Sequence, residues 1–132
     1  MPEVRRWREP KKAKIFLGYS DITTLHGFLN QSWKWPSLHG PLLERLGRGV
    51  MSRAEKGALL GLLRGELRQV EFNRLKALNP AARAAAVIRG PVLGGNMAVL
   101  QSGLGTPSAL RPKGSVLFSR ISASARIGWI VC

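Results

Sequence analysis

Lys14-Ile15-Phe16-Leu17-Gly18-Tyr19-Ser20-Asp21-Ile22-Thr23 carries the plainest structural pattern in the chain. Ile15-Phe16-Leu17 is a short apolar run of the kind that fills a buried strand of a parallel sheet. Gly18-Tyr19-Ser20-Asp21 follows without a spacer, and Ile22, Leu25, Phe28 and Leu29 then recur at helical spacing. The order is strand, sharp turn, helix, which predicts an α/β fold. A serine in such a turn stands above the sheet edge, as in a nucleophile elbow. The Asp21 backbone N–H, at the helix start, would face a developing oxyanion. Ile22 stands where the G-x-S-x-G pattern has glycine, and Ser-Asp before a helix is also the ordinary N-cap pattern. Both readings stand on this stretch alone.

A nucleophilic serine needs a base and an orienting acid. The chain has two histidines. His26 lies six residues beyond Ser20 on the same expected helix, and a rise of ~1.5 Å per residue carries it roughly 9 Å along the axis. It reads as a packed or surface histidine. His39, ahead of Gly40-Pro41, would approach the active edge of the sheet or sit in a loop bonded to backbone, and the loop reading is the simpler. No carboxylate is placed to orient either ring. The segment offers a nucleophile without a triad.

Outward from this stretch, Met1–Lys14 is basic and Pro-punctuated, a connection or a short amphipathic piece. Asn30–Gly40 reads as a loop that anchors itself through Trp33 and Trp35, and Pro41–Leu46 as a short helix. Ser52-Arg53-Ala54-Glu55 fits a capping box, with Leu59, Leu60, Leu62 and Leu63 giving the apolar face and Gly65 the stop. Residues 66–78 are ambiguous between helix and extended chain. Val87-Ile88 reads as a short strand, Gly90-Pro91 and Gly94-Gly95-Asn96 as turns, Met97–Ser102 as a helix, and Val116-Leu117-Phe118 as a strand. Gly94-Gly95-Asn96 would either offer amides to an anion or make a tight turn with Asn96 as cap, and the turn is the simpler reading.

The 132 residues allow about one domain, and 45% hydrophobic composition excludes disorder as the default. No apolar run approaches the ~20 residues that span a bilayer, so no membrane association is expected. One cysteine, Cys132, excludes an internal disulfide and a cysteine zinc site, and the cytoplasm is the expected compartment. The formal charge is +14, from 21 Lys and Arg against seven acids, and no residue after Glu71 is acidic. Carboxylate metal sites and paired-carboxylate hydrolysis have little to work with, and no metal or cofactor is expected. High basicity invites a nucleic-acid reading, with Trp7, Phe28, Trp33 and Trp35 as stacking platforms. The charges are scattered and no zinc-finger, RRM or KH signature is present, so nucleic acid is not the expected partner.

Four segments in order resemble the LD-carboxypeptidase family, the muramoyltetrapeptide carboxypeptidases and microcin-immunity serine peptidases. They are Lys14–Thr23 with Leu25-His26, His39-Gly40-Pro41, Gly90–Met97 and Leu104-Gly105-Thr106-Pro107, a resemblance over residues 2–118. It implies Ser20 as nucleophile, the Asp21 amide as an oxyanion donor, and structural or pocket-lining places for His39, Gly40, Gly94, Gly95 and Asn96. The family's catalytic Glu and His lie beyond the matching part. The resemblance implies a fragment of a Rossmann-like nucleophile-elbow domain (1–80) and the linker and beginning of the C-terminal domain (81–118). It implies a muropeptide substrate, or a microcin-type acyl-sulfamoyl conjugate, and a possible homodimer in intact members. Residues 119–132 depart from the family. One permitted codon choice, read in the adjacent frame from Phe118, gives Leu-Ala-Asp-Ile-Gly-Glu-Arg-Pro-Tyr-Arg-Met-Asp-Arg-Leu, which is family-like. The expectation is a frameshift near Phe118, a truncated chain, and no activity from this chain alone. The rival classes are a basic nucleic-acid-binding protein and a non-catalytic remnant.

Overall fold

The computed structural model describes residues 3–72, 75–84, 87–121 and 130–131. Strand β1 (Leu17–Gly18) leads through a 3-10 turn at Ser20–Ile22 into helix α1 (Thr23–Phe28). A π turn, Leu29–Trp33, then brings the chain back to β2 (Leu38–His39). β1 and β2 are parallel, with Leu17 opposite Leu38 and Gly18 opposite His39. Parallel neighbours need a crossover, and α1 supplies it. The backbone of β5 (Ile130–Val131) pairs antiparallel with β2.

A second strand–helix–strand unit follows. β3 (Val92–Asn96) runs into α5 (Met97–Ser102) and returns as β4 (Val116–Arg120), parallel to β3 with Gly94 opposite Phe118. Between the units lie α2 (Leu43–Gly47), α3 (Arg53–Arg64) and α4 (Pro80–Ala84). The chain is therefore a mixed helix-and-strand structure with small parallel sheets. No helix among the described residues is long and apolar enough to cross a membrane.

α3 forms where the capping box predicts it. The Glu55 N–H donates to Ser52 Oγ at 3.2 Å, and the Ser52 N–H donates to Glu55 Oε2 at 2.9 Å. Gly65 closes the helix in the left-handed conformation. Leu59 is its fully buried residue. The aromatic rings of Trp7, Phe28, Trp33 and Trp35 meet in succession, edge to face or tilted, at centroid spacings of 6.5, 5.1 and 5.0 Å, which ties the N-terminal segment to the π turn.

Three sequence expectations are corrected. The loop expected over Asn30–Gly40 contains β2; two paired residues are too short a run to show a strand's alternation. Val87 and Ile88 are not a strand: they are 70% and 72% exposed, and pairing begins only after Pro91, at Val92. Gly94-Gly95-Asn96 is not a turn but the end of β3. Gly94 and Gly95 sit at φ 144° and 149°. A side chain at Gly94 would strike the Phe118 backbone, and one at Gly95 would come within 2.5 Å of Thr23 Oγ1 and Cγ2. The two glycines therefore let β4 and α1 approach β3 closely.

Candidate active site

β1 ends at Gly18, and Tyr19 continues extended at φ −153°, ψ −177°. Ser20 then takes φ 69°, a conformation that non-glycine residues rarely adopt. The turn settles into α1, with the Thr23 N–H donating to the Ser20 carbonyl. The Ser20 hydroxyl donates to the Asp21 carboxylate and holds its carboxyl below the usual range. Ser20 is part-exposed and Asp21 exposed. The Arg120 guanidinium stands 5.7 Å from the Tyr19 ring centroid.

Behind the turn, helical geometry settles His26 as packed rather than surface. Helix side chains lean toward the N-terminus, so a residue on the second turn reaches back to the strand that precedes the helix. His26 is fully buried, and its Nε2 lies 3.1 Å from the Gly18 carbonyl oxygen. Its Nδ1 lies 2.7 Å from Ser37 Oγ. The Gly40 N–H donates to the same Gly18 oxygen at 3.1 Å. Burial lowers the His26 pKa against the opposing effect of the Gly18 bond. Ser37 and Asn30, which complete this cluster, carry no signal in sequence spacing.

His39 is on β2, not in a loop, and its ring is 1% exposed. Neither ring nitrogen has a hydrogen-bond partner among the described residues. The ring lies 5.2 Å from Phe118 and 5.8 Å from His26, centroid to centroid. Burial pushes its pKa down to about 4, with the charges of His26 and Arg120 adding to the effect. Both histidines are therefore neutral and enclosed at pH 7.

Gly40 is buried at the end of β2. Gly94 and Gly95 are buried under Thr23 and Phe118, and the Asn96 N–H donates to Thr23 Oγ1 at 2.9 Å. The Asn96 carboxamide caps α5 by accepting from the Val99 N–H at 3.3 Å. Two open cavities of about 490 and 660 Å³ flank α1 and the π turn, and neither is walled by Ser20, His39, Gly40, Gly94, Gly95 or Asn96. Gly95 and Asn96 shape the seat of α1, and Gly94 lets β4 approach.

Comparison with known proteins shows what this chain is similar to. Residues 2–40 match the LD-carboxypeptidase N-terminal domain. A Rickettsia conorii protein named as a carboxypeptidase is 35% identical over 118 residues, which is 89% of this chain and 38% of that protein. A Bacillus subtilis protein named "Probable murein peptide carboxypeptidase" is 34% identical over 110 residues, 82% of this chain and 33% of that protein. The chain thus spans less than two-fifths of the length of these relatives. Among solved structures, MccF in complex with glutamyl sulfamoyl guanosine has a similar fold, with a TM-score of 0.53, 19% identity, and coverage of 82% of this chain and 40% of that one. A strand–turn–helix with its serine at positive φ, inside a stretch matched in sequence by these relatives, is what the chain shares with the LD-carboxypeptidase family.

Proposed function

We propose that this chain carries the nucleophile-bearing region of a serine LD-carboxypeptidase, with Ser20 as nucleophile and the Asp21 N–H as an oxyanion donor. The observation that carries the reading is the φ of 69° at Ser20, between β1 and α1. Backbone strain of this kind persists only where surrounding structure holds it, and it gathers at active sites. In the proposed reaction Ser20 Oγ attacks the carbonyl carbon between an L-centre diamino acid and terminal D-Ala. The C–N bond breaks, D-Ala leaves with a proton, and water hydrolyses the resulting ester.

The base and the orienting acid of that reaction lie outside this chain. Both nitrogens of His26 are engaged, and His39 is closed to solvent. Asp21, held below the usual carboxylate range, is a weak base at neutral pH. The chain alone is therefore expected to release no D-Ala. The adjacent-frame reading of residues 119–132 belongs to this proposal, and residues 122–129 and 132 lie outside the described structure.

A murein tetrapeptide is preferred to a microcin-type conjugate because the relative named for murein peptides is 34% identical, against 19% for MccF. The test is a chimera in which residues 1–118 replace the matching stretch of the Bacillus subtilis relative. D-Ala release from murein tetrapeptide is expected to fall by at least ~10³-fold on Ser20→Ala. Undiminished release from that variant would remove Ser20 from the chemistry.

A further inference from the structure

His26 is a buried titratable group that the proposed chemistry leaves unused. Its partners fix its tautomer. The Gly18 carbonyl only accepts, so Nε2 carries the hydrogen. Nδ1 is then the acceptor, and the Ser37 hydroxyl donates to it across 2.7 Å. Ser37 Oγ accepts in turn from the Asn30 side-chain amide at 3.3 Å, and that amide also donates to the Trp35 carbonyl at 2.7 Å. Donation runs one way, from Asn30 through Ser37 and His26 to Gly18.

The end point of this chain of bonds is the last residue of β1, two positions before Ser20. Its carbonyl is held from β2 by the Gly40 N–H and from α1 by His26. α1 is also the helix that starts directly after the Ser20 turn. The bond from His26 to Gly18 therefore closes residues 18–26 into a cycle that contains Ser20. With both ends of the cycle tied, the backbone has little room to relax away from φ 69°. The ring also meets the edge of Phe16, at a centroid distance of 5.0 Å, but packing alone asks only for an apolar side chain of similar size.

We infer that His26 is a positioning residue: as the neutral Nε2–H tautomer it clamps the Gly18 carbonyl and so holds the Ser20 turn in its left-handed conformation. The functional meaning rests on Ser20 being the nucleophile, whereas the test below reads the clamp without turnover.

The full chain, labelled with ¹⁵N, is examined by long-range ¹H–¹⁵N correlation at pH 7 and by amide exchange. His26 is expected to show a protonated Nε2 and an unprotonated Nδ1. In His26→Leu, the Thr23 and Gly40 amides are expected to exchange about tenfold faster while those of α3 keep their rates. In His26→Gln, whose side-chain amide can donate to Gly18 from the Nε2 position, exchange is expected to return to within about threefold of the wild type. A protonated Nδ1 with a bare Nε2 overturns the inference. So does wild-type exchange in His26→Leu, or exchange in His26→Gln as fast as in His26→Leu. Should His26→Leu fail to fold, the tautomer and the His26→Gln rates decide by the same criteria, with tenfold faster exchange in His26→Gln counting against the clamp. Undiminished D-Ala release by Ser20→Ala ends the nucleophile reading and does not touch these rates, so the two failures are distinguishable.

Discussion

Ser20 pays for its conformation with stability. A left-handed non-glycine residue costs ~1–2 kcal/mol. Ser20→Gly is therefore expected to stabilise the chain by about 1 kcal/mol in urea unfolding, and to abolish D-Ala release in the chimera. A destabilised glycine variant would show that the turn is not strained. His39 supplies a second residue-scale prediction. Unfolded, it takes a proton near 6.5; folded, only near 4. Between these values the unfolded chain binds more protons. The stability from keeping the ring neutral is thus whole above pH 6.5, is lost as pH falls through the window, and is gone below about 4, a change of about 3 kcal/mol. Unfolding midpoints from pH 7.5 to 4 should show that slope, and His39→Leu should make it shallower, leaving the share of His26, whose pKa burial also lowers. At this scale the sequence pattern around Gly18-Tyr19-Ser20-Asp21 made the strand, the turn and the helix legible, with Ser20 in the turn. For His26 the sequence left packed and surface places open, because counting rise along the axis follows Cα positions, while its ring reaches back toward β1.

Elements were legible where local chemistry forms them. Ser52 and Glu55 announce α3, and Ser52→Ala is expected to cost about 1 kcal/mol, measured by thermal unfolding. Within the same helix Gly57 meets nothing within 4 Å, so Gly57→Ala should stabilise by about 0.5–1 kcal/mol. Gly95→Ala should do the reverse by about 2–3 kcal/mol, since its methyl would overlap Thr23 and its φ of 149° disfavours a side chain. The contrast between these two substitutions checks whether α1 sits on β3 as described. Elements that depend on distant partners were not legible. Leu38-His39 becomes a strand only because β1 lies beside it, and Gly94-Gly95 is extended only because β4 and α1 close over it. A pair of glycines before Asn carries the same local signal whether the chain turns or runs straight.

The molecule as a whole is held by the junction of its two strand–helix–strand units. Thr23 joins them through Gly95 and Asn96, and the rings of His39 and Phe118 meet beside it. The hydrophobic side chains buried among the described residues are Val4, Leu29 and Leu59, whereas Leu75, Leu78, Leu104 and Ile121 are 67–88% exposed. So thin a core, in a chain of formal charge +14, is expected to be marginally stable and to gain stability with added salt. The α/β class was legible from the strand–turn–helix order of residues 15–29, and the resemblance to the LD-carboxypeptidases from four short motifs in order along the chain. Neither histidine was legible as a partner for Ser20, because both are spent inside the fold. The most direct measurement of the central claim is rapid quenching of the chimera during turnover of murein tetrapeptide, with peptide mapping by mass spectrometry. A tripeptidyl ester is expected on the peptide containing Ser20, absent in Ser20→Ala. Turnover with no adduct on that peptide, or an adduct on another residue that persists in Ser20→Ala, would contradict it.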